Sequence, residues 1–181
     1  MIVRNKTRCP ILNRSKRYVL NGSRWRDKNL TYKIKNYPKK LKKSDVDAEI
    51  SRAFNLWSEY SFLNFTPKSN GHVHIDISFE NTENDDPFDG PGKVVARSYF
   101  PNAGGDVYFD ISEFWTIGKK RGINLFQTAA HEIGHALGLS HSHNKLAIMA
   151  PMYRGYDPEF KLHEDDILAI QALYGKKNLS H

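Results

Sequence analysis

The sequence predicts one α+β domain, and three observations carry that expectation. At 181 residues the chain is long enough for one sizeable core and too short for two comfortable ones. Short runs of strand character dominate its first part and are interrupted by a single helical pattern. Two more helical patterns, separated by an irregular segment, occupy its end.

Each element follows from the local pattern. Residues 1–17 show no hydrophobic period and read as an irregular basic arm. Leu30–Ile34 reads as a first strand, stopped at Asn36-Tyr37-Pro38. Ser44 stands where an N-cap belongs, with Asp45, Asp47 and Glu49 in the first turns. Val46, Ile50, Ala53, Phe54 and Trp57 then follow at helical spacing, predicting an amphipathic helix to about Tyr60. Val73, Ile75 and Ile77 alternate with polar residues, the mark of a half-buried strand. Two short strands fit Val94–Phe100 and Asp106–Phe109, split by the Pro101–Gly105 turn and preceded by a Gly/Pro/Asp-rich loop over 84–92. A second helix covers Leu125–Leu137, ended by Gly138. A third covers Asp165–Tyr174, with Ile167, Ile170 and Leu173 on one face.

Composition narrows the function classes. Hydrophobic residues make up 39% and charged residues 26%, values of an ordinary globular protein. No apolar run approaches bilayer-spanning length, so no membrane partner is expected. Cys9 is the only cysteine, which rules out an intrachain disulfide. Asn-x-Ser/Thr sequons at Asn5, Asn13, Asn21, Asn29, Asn64 and Asn178 suit a secreted, extracellular protein. The net charge of +7 is unevenly spread: residues 1–43 hold fifteen of the 27 Lys/Arg and one acid. A block so local argues for a processing segment and against a nucleic-acid partner.

The chemistry concentrates in His131-Glu132-Ile133-Gly134-His135. Two imidazoles four residues apart on a helix share a face and can reach one ion. Catalytic zinc takes three protein ligands and keeps a fourth position open. Gly138 lets the chain turn off the helix, and His141 arrives three residues later as the third ligand. Glu132, beside the ligands, is placed as a general base for metal-activated water. The reaction class so predicted is zinc-dependent peptide hydrolysis, with no cofactor beyond the metal. Met149, within Ala147–Tyr153, stands where a methionine turn would lie beneath such a centre. The competing function is binding of sulfated or other polyanions by the basic arm on an inactive protease scaffold. Glu132 and three intact ligand positions count against it.

With these motifs on the page, the chain resembles the catalytic domain of matrix metalloproteinases, the matrixins of the metzincin clan. The resemblance runs over roughly residues 8–175. It is carried by Arg17–Leu20, Trp25, Leu30-Thr31-Tyr32, the Pro87–Gly92 stretch PFDGPG, Gly104-Gly105-Asp106, Phe109-Asp110, Glu113-Phe114-Trp115, the zinc motif with His141-Ser142, and Ile170–Gly175. It implies a twisted five-stranded mixed sheet with three helices, and a substrate cleft along an edge strand. It implies protein and peptide substrates of the extracellular matrix or other secreted proteins, one monomeric catalytic domain over 18–175, and a polar tail over 176–181.

The resemblance also assigns roles. Cys9, after Arg8, matches the propeptide thiolate that occupies the open zinc position and keeps the zymogen silent. Pro10 and Ile11 depart from the family's sequence there, and a leftover buried thiol is the alternative. Arg14–Arg17 looks like a furin-type site, which would make residues 1–17 a propeptide remnant, Tyr18 the mature amino terminus and Asp165 its partner. The alternative is a solvated basic run. Cleavage after Arg17 removes six Lys/Arg and no acid, leaving a net charge of +1. Asp89, Asp110 and Glu113, with backbone oxygens of Gly90, Gly92 and Val94, match a structural calcium loop, so at least one Ca2+ is implied. Val95 and Ala96 belong on the edge strand that pairs with substrate. Pro151, Met152 and Tyr153 wall the specificity pocket, with Gln127 near its inner end. Furin-like proteases and proteinaceous metalloproteinase inhibitors are the implied partners. The family's second, structural zinc is not expected: its histidine positions are Arg97, Tyr108 and a loop over 83–86 without histidine. His72 and His74, on the neighbouring strand, are expected to face solvent.

Overall fold

A computed structural model describes residues 20–81, 88, 90–92 and 94–177. Strand β1 (Asn29–Ile34) leads to helix α1 (Lys43–Ser58), then to β2 (Asn64–Pro67), β3 (Ile75–Glu80), β4 (Ala96–Ser98) and β5 (Val107–Asp110). A two-residue pair, β6 (Trp115–Thr116) and β7 (Ile123–Asn124), precedes α2 (Leu125–Ala136), and α3 (Glu164–Tyr174) ends the fold. The five-stranded sheet has the order β2-β1-β3-β5-β4. All neighbours run parallel except β4, which lies antiparallel to β5 at the edge, with Ala96 opposite Phe109 and Ser98 opposite Val107. This is the α+β architecture that the resemblance implies: a mixed five-stranded sheet with three helices.

The core forms where the alternating faces of the strands meet α1 and α2. Val46, Ile50, Ala53, Phe54 and Trp57 of α1 are buried, as their spacing predicts. Phe79 and Phe109 stack at 5.0 Å between ring centroids, with Trp115 edge-on to both. Each such fully buried large side chain contributes roughly 1.5–3 kcal/mol by leaving water. The indole of Trp57 also donates to the Ala130 carbonyl at 2.9 Å, which seats α2 against α1.

Several local expectations are corrected. The N-cap of α1 is Lys42, and the Ser44 hydroxyl donates to the Asp45 carboxylate instead of capping the helix. Val73 precedes its strand, and the edge strand is confined to Ala96–Ser98. Strand β2 had no pattern of its own: four mostly exposed residues ending in proline are acceptable only at a sheet edge, where one side needs no ladder. His74 is only partly solvent-facing. Its Nδ1 accepts from the Thr31 amide at 3.0 Å, and its ring meets Trp25 edge-on, whereas His72 is exposed.

Candidate metal centre

Helix α2 begins with Asn124 capping the Gln127 amide at 3.0 Å. Its burial is nearly all-round, so its few polar side chains must be satisfied inside the fold. The Nδ1 of His131 lies 2.8 Å from the Ile148 carbonyl, and that of His135 lies 2.7 Å from the Leu139 carbonyl. A carbonyl oxygen only accepts, so both Nδ1 atoms carry the proton and both Nε2 atoms present lone pairs. Those two Nε2 atoms face each other at 3.1 Å. Burial pushes the His131 imidazolium pKa down and that of His135 to about 3, so both rings stay neutral. His141 completes the group, and one nitrogen from each histidine lies within 4.8 Å of the other two. Converging lone pairs on neutral imidazoles, two of them held in place by backbone carbonyls, repel one another unless a cation sits between them. This donor set fits zinc.

The chain exit behind this helix is forced. Gly138 has φ +101°, and a Cβ there would collide with the Ser23 carbonyl oxygen. Its own carbonyl accepts from the Asn21 amide at 3.1 Å. The Trp25 indole donates to Ala136 at 2.9 Å, so residues 20–25 clasp the end of α2. Below the histidines, Met149 is buried and packs on Gly134, where a Cβ would strike its sulfur. Asp166 of α3 accepts from the Ile148 amide at 2.8 Å, the Met149 amide at 3.1 Å and the His163 amide at 2.9 Å. The carboxylate that caps α3 therefore also fixes the turn whose carbonyl orients His131. No residue pattern singled out Asp166. Its position in the first turn of a helix gave the only signal.

Glu132 is 7% exposed, and burial raises its pKa to about 7, partly offset by a hydrogen bond from Ser98. That hydroxyl, on β4, donates to Glu132 Oε2 at 2.7 Å. Ser98 was not singled out as a site residue. Ala96 opens the edge strand and Val95 immediately precedes it, with the Val95 carbonyl accepting from the Asp110 amide at 2.9 Å. Pro151 and Met152 are exposed beyond the turn, while the Tyr153 hydroxyl accepts from the Asn124 amide at 2.9 Å. Gln127 is buried with both ends of its amide engaged, donating to the Gly155 carbonyl and accepting from the Asp157 amide.

The calcium positions are partly within view. Asp110 is fully buried; its Oδ1 accepts from Ser112, and its Oδ2 has no hydrogen-bond partner among the described residues. Glu113, 8% exposed, accepts from the Gly92 amide at 2.6 Å. Gly90 and Gly92 take φ of 86° and 106°, and Val94 is exposed. Asp89 lies outside the described residues, as do Cys9, Arg17 and Tyr18. A buried carboxylate oxygen with no hydrogen-bond partner among the described residues, three positions before a glutamate bonded to the Gly92 amide, fits a hard cation.

The matrixin family profile matches residues 24–175. Matrix metalloproteinase-19 of Homo sapiens is 46% identical over 172 residues, 93% of this chain and 34% of that protein. Stromelysin-3 of Xenopus laevis is 46% identical over 167 residues, 90% of this chain and 35% of that protein. Interstitial collagenase of Equus caballus is 43% identical over 178 residues, 96% of this chain and 38% of that protein. The chain thus spans about a third of the length of these relatives. A profile match across nearly the whole described fold, centred on the three-histidine helix, shows that the chain belongs to the matrixin family.

Proposed function

We propose that this chain is the catalytic part of a zinc-dependent endopeptidase that cleaves extracellular matrix or other secreted proteins. The observation that carries the proposal is the convergence of three neutral imidazoles beside a buried carboxylate. A zinc ion held by His131, His135 and His141 would supply Lewis-acid polarisation and a bound water of lowered pKa. Glu132 takes a proton from the attacking water on its carboxylate and passes it to the leaving amine nitrogen. The unpaired side of β4, around Val95 and Ala96, aligns the substrate backbone as an added strand. Pro151, Met152 and Tyr153 wall the side-chain pocket, and Gln127 fixes the depth of its far end by holding 155–157.

The maturation reading is part of the proposal. Residues 1–17 act as a propeptide remnant: Cys9 supplies a thiolate to the open zinc position, and cleavage after Arg17 by a furin-like protease frees Tyr18. Asp165 supports this, because it is buried with Oδ1 lacking a partner among the described residues, which suits an incoming ammonium. Residues 18–175 form the monomeric catalytic domain and 176–181 a polar tail. Asp89, Asp110 and Glu113, with the backbone at Gly90, Gly92 and Val94, hold calcium. The sequons support secretion, and among the described residues no helix is long and apolar enough to cross a membrane. Proteinaceous metalloproteinase inhibitors are the expected regulators.

Replacing Glu132 by Ala tests the core of this reading. Peptide hydrolysis should fall at least about a hundredfold while zinc content is unchanged. Hydrolysis near the parent rate would refute Glu132 as the base, and activity that survives a zinc chelator would refute the metal mechanism.

A further inference from the structure

The edge strand does more than face the cleft. In β4 successive side chains point to opposite faces, so Ala96 and Ser98 share one face and Arg97 takes the other. Ser98 lies opposite Val107, whose side chain is fully buried, so its hydroxyl is directed inward at α2. There it meets Glu132 Oε2 at 2.7 Å. We propose that Ser98 is a positioning residue for Glu132, fixing the orientation of its carboxylate for proton transfer; this rests on the reading of Glu132 as the base.

The physical need is specific. The terminal torsion of a glutamate is broad, so an untethered carboxylate samples many planes. One donor on Oε2 removes that freedom and leaves Oε1 the oxygen free to take a proton. The donor comes from a strand held to β5 by its ladder, not from the helix that carries Glu132. The bond therefore also sets the distance between the base and the strand along which substrate lies. A buried carboxylate without a donor is costly, so the contact would not be replaced at equal energy by an alanine methyl.

The test compares S98A, S98T and the parent chain, each cleaved after Arg17 so that the Cys9 segment is gone. Crystal structures of metal-free and zinc-loaded protein should show one Glu132 carboxylate orientation with Ser98 present and more than one in S98A. Steady-state kinetics on a peptide should show kcat of S98A lowered about ten- to a hundredfold, with KM within about twofold and zinc content unchanged. S98T, which keeps the hydroxyl, should recover most of kcat. In an E132D background, whose carboxylate is one methylene shorter and so withdrawn from the strand, S98A should cost little more. A single unchanged Glu132 orientation in S98A would overturn the proposal, as would an unchanged kcat. Loss of zinc, a KM effect alone or failure of S98T to recover would mark Ser98 as mere scaffold and overturn it equally. A parent chain still inactive after cleavage following Arg17 would instead refute the endopeptidase reading, and the crystal structures would still judge Ser98.

Discussion

At Gly138 the backbone takes φ +101° while the Ser23 carbonyl oxygen occupies the space that a Cβ would need. A left-handed torsion alone costs an L-residue roughly 1–2 kcal/mol, and the overlap adds a repacking cost of similar size. Gly138→Ala should therefore lower unfolding free energy by about 2–4 kcal/mol in urea titrations. It should also reduce zinc affinity, because His141 is delivered by this turn. A loss below about 0.5 kcal/mol would show that residues 20–25 can move aside without consequence. Gly134 makes the same point one turn earlier: its missing side chain is where Met149 sits.

At the level of elements, β4 presents two different surfaces. Its inward face carries Ser98 to Glu132, and its outward face carries Arg97. The Arg97 guanidinium lies 4.9 Å from the Tyr108 ring centroid, 5.5 Å from that of Phe88 and 5.8 Å from that of Tyr99. We propose that this fixed cation among aromatic faces does the tethering that a second zinc does elsewhere in the family. Cation–π contacts contribute about 0.5–2 kcal/mol each, so Arg97→Ala should cost about 1–3 kcal/mol of stability without altering the zinc count. Elemental analysis should give one zinc per chain before and after the change. Two in the parent chain would contradict the idea.

On the scale of the whole molecule, the metal centre sits where several parts of the chain meet. The clasp of residues 20–25, the turn at Ile148–Met149 and the start of α3 all bear on α2. Chelating zinc removes the ligand that offsets lone-pair repulsion at 3.1 Å, so the melting temperature should drop by on the order of 10 °C and recover on adding zinc back. An unchanged melting temperature would mean that the histidines are held by the protein alone. Much of this organisation was legible in the sequence, because α1 and α2 carry strong periodic patterns and the histidine spacing fixes a helix face. What was not legible came from long-range pairing. Strand β2 has no local alternation, Ser98 reaches its acid across thirty-four positions, and Asp166 is polar on a helix with nothing nearby to announce three backbone partners. Ser44 misled because a good capping residue stood two places too late.

Asp166 joins events that would otherwise be independent. One carboxylate holds the first backbone amide before α3, two amides of the methionine turn and, through Ile148, the ring of His131. Opening of any of these loosens the rest, so they form a single unit of local unfolding. In amide hydrogen exchange on the chelated protein, His163, Ile148 and Met149 should lose protection together and to a similar degree. Departure of the metal would then be felt at the far helix as a change in exchange rate, with no movement of the sheet.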